Sequence, residues 1–277
     1  MGDNKVVEIL KTIDVDLCIS FPGSGRAWLR TMFYSADLVS DVSIKDELYT
    51  PLAFIHGHMT NKTFTVEYRR GDDSDHKIVL PKGIRKVIKK DLNKDCKINY
   101  KRVIFLWRNP FDILCSVNDK FAVGLTTKMD KHPLTANFKE DRWSLDKLKI
   151  NFKYILEYHI AVIEFCEKNN IPIYYLSYHN LLKENTFIDL CAHLEYTNLE
   201  KIKSTYAKFA MNKMLEMPKE FILKCKFEYK FAIENYRHGP DRDYRNHLSK
   251  EHINSLQEII SELDYNNKVA AKFNVVL

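Results

Sequence analysis

The chain has 277 residues, 45% of them hydrophobic, and a formal net charge of +6. This length and apolar content are typical of an enzyme-sized globular protein, so we expect a single domain over residues 1–277. The positive charge favours an anionic ligand. Basic and acidic residues are mixed along the whole chain, whereas a nucleic-acid-binding protein needs a contiguous basic face, so we predict no nucleic-acid partner.

The six cysteines are dispersed and form no C-x-x-C pair, which is typical of a protein in a reducing compartment. No apolar run approaches the roughly 20 residues that a membrane-spanning helix needs. The sequence therefore predicts a cytoplasmic protein with no membrane contact and no membrane partner.

Apolar runs rich in β-branched and aromatic residues predict four buried strands, at residues 15–21, 52–56, 103–107 and 171–177. Helical patterns cover residues 26–34, 112–121, 146–169, 187–194 and 252–263. Nearly continuous apolarity favours a parallel sheet covered on both faces. We therefore predict a P-loop-like three-layer α/β fold, with a central parallel β-sheet flanked by helices.

Residues 61–101 interrupt this alternation of strands and helices. A polar, turn-like cluster lies at residues 69–75, and residues 82–101 are rich in lysine and arginine. We interpret the segment as an inserted hairpin followed by a basic helix. Its charges fit either a solvated face or a role in holding an anion or gating an acceptor.

A glycine-rich loop follows the first predicted strand. Residues 21–25, Phe-Pro-Gly-Ser-Gly, lead into a helix that begins at Arg26. Small residues let an anion approach several backbone N–H groups at a helix N-terminus, so this loop predicts a phosphate or sulfate site, although a turn without a ligand is the alternative. It lacks the Gly-Lys-Ser/Thr ending of a nucleoside-triphosphate P-loop, which argues against a kinase or ATPase.

A second motif follows the third predicted strand. Arg108 ends that strand, Asn109 can cap the next helix, and Pro110 suits the first helical position. Arg108 and Ser116, two turns into the helix, can converge on a phosphate, the arginine through bidentate hydrogen bonds. This pair predicts a second anion site at the same edge of the sheet.

The two motifs, F-P-G-S-G-x-x-W at residues 21–28 and R-N-P-x-D-x-x-x-S at residues 108–116, resemble the nucleotide signatures of the soluble sulfotransferases, including compact bacterial ones. The resemblance implies 3'-phosphoadenosine 5'-phosphosulfate (PAPS) as cofactor and 3'-phosphoadenosine 5'-phosphate (PAP) as product. It assigns the 3'-phosphate to Arg108 and Ser116. The residues it assigns to the 5'-phosphosulfate loop are Pro22, Gly23, Ser24, Gly25, Arg26, Ala27 and Trp28.

A third family segment, R-K-G-x-x-G-D-W, resembles residues 237–244. The resemblance implies that Arg237, His238 and Gly239 also contact the 3'-phosphate. His238 stands where the family has lysine, so its charge near neutral pH is partial. A loop held by local ion pairs is the alternative interpretation.

The resemblance also implies an adenine site made of three aromatic residues. Trp28 matches a tryptophan that stacks on the adenine, Tyr178 matches a tyrosine that hydrogen-bonds the purine, and Phe209 is a candidate for a second stacking face. Each of these residues can instead belong to the core, because aromatic side chains also fill space.

The first loop departs from the family pattern at the position of its catalytic lysine, which is Gly23 here. Arg26 and Ala27 replace the two threonines that usually bind the 5'-phosphate. Our hypothesis is that Arg26, which is always charged, supplies the missing cation from one turn along the helix.

Sulfuryl transfer to a hydroxyl requires a general base, and a histidine at a strand end suits that role. The family takes its base from the end of its second strand, which corresponds to Leu52-Ala53-Phe54-Ile55-His56-Gly57-His58. We predict His56 as the base, with His58 as the second choice. The histidines and cysteines show no metal-ligand spacing, so we predict no metal.

The sequence thus predicts an enzyme that transfers the sulfuryl group of PAPS to a hydroxyl, or an amine, of a small molecule, with a natural product as the expected acceptor. A homodimer is a further expectation. The alternatives are a nucleotide-binding homologue with impaired catalysis and a P-loop nucleotide kinase.

Overall fold

The computed structural model describes residues 12–21, 23–35, 52–55, 58–60, 63–65, 97–122, 143–210 and 244–277. In this part of the chain the strands are β1 (Thr12–Ile19), β2 (Leu52–Ile55), β3 (His58–Thr60), β4 (Thr63–Thr65), β5 (Lys97–Trp107) and β6 (Ile173–Ser177).

The α-helices are α1 (Arg26–Ser35), α2 (Pro110–Ala122), α3 (Leu145–Lys168), α4 (Tyr178–Leu181), α5 (Glu184–His193), α6 (Leu199–Phe209), α7 (Lys250–Glu262) and α8 (Tyr265–Lys268). Short 3₁₀-helices span Tyr244–Asn246 and Ala270–Phe273. No helix in the described ranges combines the length and the apolarity that crossing a bilayer requires.

Four strands form a parallel sheet in the order β2-β1-β5-β6. Ile19 of β1 pairs with Ile55 on one side and Phe105 on the other, and Trp107 pairs with Ser177. The carboxyl ends of the four strands therefore lie at one edge. The segments that carry the sequence motifs leave the sheet from this edge.

Side chains alternate between the two faces of this sheet, because successive residues of a strand point in opposite directions. On the first face, Leu17, Phe105 and Trp107 pack with α2, α3, α7 and α8 in one apolar core. On the second face, Cys18 and Leu106 pack with α1, α5 and α6 in another. The predicted parallel sheet between two helical layers is confirmed.

Among the described residues, each face of the sheet carries a buried polar contact. On the second face, Arg102 donates two hydrogen bonds to the carboxylate of Asp16, at 2.8 and 2.9 Å, and a third to the carbonyl of His193 at the end of α5. On the first face, Trp107 Nε1 donates to Tyr265 Oη at 2.8 Å, and Tyr265 Oη lies 2.6 Å from His159 Nδ1.

The predicted strands and helices within the described residues are confirmed to within a few residues at their ends. Two differences stand out. Residues 97–101, which we assigned to the end of a basic helix, form the first half of β5, since Lys97 to Tyr100 extend the parallel ladder against residues 12–15 of β1. Helix α6 was not predicted, although Asn198 caps it by accepting a hydrogen bond from Lys201 N at 3.0 Å.

Candidate anion-binding site

The loop after β1 turns sharply on two glycines. Gly23 and Gly25 have φ of +91° and +92°, which residues with a side chain rarely adopt. A Cβ at Gly25 would also lie 2.4 Å from Cδ2 of Tyr178, so no other residue fits there without a shift. The helix follows at once, with Leu29 N donating to Gly25 O at 3.2 Å. The loop therefore leads directly into the N-terminus of α1, and a helix N-terminus is a position at which proteins bind anions.

The second motif lies against this loop, because β5 is the neighbour of β1 in the sheet. Arg108 follows β5 directly, and its Nη1 donates to the carbonyl of Gly23 at 3.1 Å. Ser116 lies next to the same glycine, with Oγ 3.5 Å from where a Cβ of Gly23 would stand. The β1–β5 junction is a topological switch point, where α/β sheets bind their ligands.

Helix α2 begins as the sequence predicts. Pro110 is its first residue, and Asn109 Oδ1 accepts a hydrogen bond from Phe111 N at 2.9 Å. The cap fixes the chain at the exit from β5, which keeps Arg108 at the edge of the sheet. The cysteine and serine that follow, Cys115 and Ser116, are then carried on a rigid helix and are both buried.

Two buried polar atoms of the site have no hydrogen-bond partner among the described residues: Ser24 Oγ and Arg108 Nε. Ser24 is fully buried and Arg108 is 8% exposed. Leaving such atoms unsatisfied destabilises a folded protein, so native structures usually supply a partner. A hydroxyl and a guanidinium beside a glycine loop are suited to an oxyanion, and the site therefore fits a phosphate- or sulfate-bearing ligand.

The three predicted adenine residues are close neighbours, and all are buried. Trp28 Nε1 donates to the carbonyl of Phe209 at 2.7 Å, and the Trp28 ring meets the Tyr178 ring edge-on at 5.9 Å. Only 1% of Trp28 is exposed. In this structure the three aromatics pack as part of the second-face core, and their contact with adenine stays a prediction.

Arg26 is the first residue of α1 and is partly buried. Its charge acts at the carboxyl end of β1. Burial raises the pKa of the Cys18 thiol to about 12, and the positive charge of Arg26 opposes that rise. Burial likewise raises the pKa of Tyr158, whose hydroxyl donates to the carbonyl of Ser20, and Arg26 again opposes it. Arg26 therefore brings a positive charge close to the carboxyl end of β1.

The fold has a counterpart among solved structures. The chain is similar to a structure described as mouse sulfotransferase SULT7A1 complexed with PAP, with a TM-score of 0.52 and 12% sequence identity over 95% of this chain and 89% of that one. The chain has the P-loop-like α/β fold of the sulfotransferases. No protein-family model and no curated protein matches the sequence. At this identity the similarity establishes the fold alone.

The remaining predicted site residues have a mixed outcome. His58 begins β3 and pairs with Thr65 of β4, so it belongs to a hairpin and not to the end of β2. Ala27 lies in the first turn of α1. Pro22, His56, Arg237, His238 and Gly239 lie outside the described residues.

The end of the third segment, however, is described. Tyr244 stacks on Phe111 with ring centroids 4.7 Å apart and an interplanar angle of 22°. Phe111 is three residues after Arg108. The third segment therefore ends next to the second motif, and the contact of Arg237, His238 and Gly239 with the 3'-phosphate stays a prediction.

Among the described residues, no group of three or more histidine, cysteine, aspartate or glutamate side chains could hold a metal ion. The prediction of metal independence stays a prediction.

One contact in the site was not predicted. The Cζ atom of Arg108 lies 4.7 Å from the centroid of the Tyr178 ring, in the geometry of a cation–π interaction. The sequence carried a signal for it, because each residue directly follows a strand and those strands are neighbours. Recognising the contact requires the β5–β6 register, in which Trp107 pairs with Ser177.

Proposed function

We propose that the protein is a sulfotransferase that uses PAPS and transfers its sulfuryl group to a hydroxyl, or an amine, of a small molecule. The observation that carries the proposal is the hydrogen bond from Arg108 to the carbonyl of Gly23, with Ser116 next to the same glycine. The two motifs that resemble the family's nucleotide signatures thereby meet at one point. The PAP complex of the similar sulfotransferase supports the choice of nucleotide.

In this proposal the backbone N–H group of Gly25 and the start of α1 hold the 5'-phosphosulfate, while Ser24 N donates to Phe21 O at 3.2 Å and closes the turn of the loop. Arg108 Nε and Ser116 Oγ bind the 3'-phosphate, assisted by Arg237, His238 and Gly239. When bound, the cofactor supplies the sulfuryl group and leaves as PAP. The chain's own contribution is orientation and the stabilisation of negative charge.

Gly23 stands where the family has its catalytic lysine, and we assign the missing charge to Arg26. The partial burial of Arg26 and its effect on Cys18 support a cation close to the end of β1. A group that stabilises only the developing charge should affect turnover more than product binding.

His56 is the proposed general base, with His58 as the second choice. A histidine titrating near neutral pH can accept the proton of the acceptor as the oxygen attacks. The proposed acceptor is a small natural product.

The test is a transfer assay with ³⁵S-labelled PAPS and a panel of phenols, alcohols and amines, run beside calorimetric binding of PAP. Transfer to any acceptor supports the enzyme. Arg26→Ala should lower turnover by about 100-fold with a much smaller change in PAP affinity. Arg26→Lys keeps the charge and should therefore lower turnover less than Arg26→Ala. His56→Ala should abolish transfer and leave PAP binding intact.

Two results would contradict these roles. Equal loss of turnover and PAP affinity in Arg26→Ala would make Arg26 a binding residue only. Retained turnover in His56→Ala would move the base to His58 or elsewhere.

A nucleotide-binding homologue with impaired catalysis is the second candidate, because Gly23 replaces the family's lysine. It predicts tight PAP binding without transfer to any acceptor in the panel. A P-loop kinase predicts phosphoryl transfer from ATP with magnesium, which the same panel detects with γ-labelled ATP.

A further inference from the structure

Arg108 is held on two sides. Its Nη1 donates to Gly23 O at 3.1 Å, and its Cζ lies 4.7 Å from the centroid of the Tyr178 ring. The side chain is 8% exposed, and Nε has no partner among the described residues. A long side chain that is buried and held in this way has lost most of its rotamer freedom before a ligand arrives.

The position of Tyr178 is itself fixed by the backbone. It is the first residue of α4, which Ser177 caps by accepting a hydrogen bond from Asn180 N at 3.1 Å. Ser177 pairs with Trp107 across the sheet, so Tyr178 and Arg108 are the next residues on two paired strands. Their proximity is therefore set by the register of β5 and β6.

The Tyr178 ring also lies against the loop. A Cβ on Gly25 would stand 2.4 Å from Cδ2 and 2.6 Å from Cε2 of Tyr178. The same ring thus contacts both Gly25 and the Arg108 guanidinium. These two contacts are made by ring carbons and the ring face.

We propose that Tyr178 is a positioning residue that sets the spacing between the loop and Arg108. The inference rests on the proposed function, because it assigns to this spacing the preference for a nucleotide with both a 3'- and a 5'-phosphate. With the ring in place, Arg108 and the loop present two anion sites at one fixed separation. Without it, the guanidinium keeps its charge but no longer has a fixed direction.

The experiment measures the affinities of PAP and adenosine 5'-phosphate by calorimetry and takes their ratio. In the wild type PAP should bind more tightly. Tyr178→Leu removes the ring and should reduce the ratio by about tenfold, mostly through weaker PAP binding. Tyr178→Phe keeps the ring. Removing a hydrogen bond from the hydroxyl to the purine would weaken both nucleotides alike, so the ratio in Tyr178→Phe should stay within about twofold of the wild type.

The matched control is Phe187→Leu. Phe187 is a fully buried aromatic of the same core, packed against Phe33 and Tyr206. Phe187→Leu should lower the free energy of unfolding and leave the ratio of the PAP and adenosine 5'-phosphate affinities unchanged. Tyr178→Met, which fills more of the space, provides the same measurement if Tyr178→Leu does not fold.

Three outcomes overturn the inference. An unchanged ratio in Tyr178→Leu or Tyr178→Met excludes positioning by the ring, and the proposed function survives if the wild type prefers PAP. If Tyr178→Phe reduces the ratio as much as Tyr178→Leu does, the preference for PAP belongs to the hydroxyl and not to the ring. A wild type that does not prefer PAP overturns the proposed function together with this inference.

Discussion

The two faces of the sheet satisfy their buried polar groups in different ways. The second face buries a charged pair, Asp16 and Arg102, whose side chains are 1% and 9% exposed. The first face buries a neutral chain in which Trp107 donates to Tyr265, whose Oη lies 2.6 Å from His159 Nδ1. Burial of a polar group is thus tolerated either by pairing opposite charges or by keeping a titratable group uncharged, and the two solutions fail under different conditions.

The neutral chain ends at His159. Trp107 Nε1 can only donate, so Tyr265 Oη accepts from it, and the same oxygen lies 2.6 Å from His159 Nδ1. Burial raises the pKa of Tyr265, so the phenol keeps its proton. Burial also lowers the pKa of His159 to about 3. His159 is therefore neutral near pH 7.

The largest effect is expected when the charged pair is broken. Arg102→Met leaves the carboxylate of Asp16 buried without its partner and should lower the free energy of unfolding by about 3–5 kcal/mol. Denaturation in urea measures this value. The double variant Asp16→Leu/Arg102→Met removes both charges and should recover most of the stability. If the double variant is as unstable as Arg102→Met, the loss of stability does not come from the unpaired charge of Asp16.

The next largest effect is a pH dependence of the free energy of unfolding, caused by His159 on the first face. The unfolded chain protonates His159 near pH 6.5, whereas the folded protein does so only near pH 3. The stability that depends on neutral His159 is complete above pH 6.5 and is lost as the pH falls toward 3. At pH 5 the loss from this residue is about 2 kcal/mol relative to pH 7.5.

Urea denaturation at several pH values between 5 and 7.5 measures that loss. His159→Gln should flatten the pH dependence over this range. The exposed His247 provides the control, and His247→Gln should keep the slope of the wild type. A wild-type slope in His159→Gln would show that another group causes the acid sensitivity.

The smallest effect is expected at an ion pair on the surface. Lys153 of α3 donates to Glu262 of α7 at 2.7 Å, and both side chains are well exposed. Water and salt screen such a pair, so Lys153→Ala should leave the urea midpoint nearly unchanged. A loss as large as that of Arg102→Met would mean that burial is not what separates the two classes of pair.

The parts that were predictable from the sequence depend on neighbours along the chain. The loop at residues 23–25, the Asn109 cap and the strand before Arg108 each give a local signal, and the structure contains all three. The pair between Asp16 and Arg102 joins residues 86 positions apart, and no local pattern reveals such a contact. The lysine-rich start of β5 resembled a solvated helix, because its strand conformation comes from pairing with β1.

The site shows the same division. The sequence predicts that the loop lies near Arg108 and Ser116, because parallel strands end at one edge of the sheet. The contact of Tyr178 with Gly25 and Arg108 was not predictable from the sequence, because it depends on the β5–β6 register and on the short capped helix after β6. Spacing along the sequence indicates which residues approach one another, and packing determines which of their faces meet.

The strand order also has a consequence for biosynthesis. Strand β1 lies inside the sheet, yet its partner β5 is made far later, and pairings between residues so distant in sequence form slowly. During that interval the edge of β1 that will receive β5 is open to other strands. Asp16 carries its charge in water until Arg102 arrives, and a charge directed toward the future core discourages wrong pairing. We therefore expect the Asp16 carboxylate to protect the growing chain from aggregation before it pairs with Arg102 in the folded sheet.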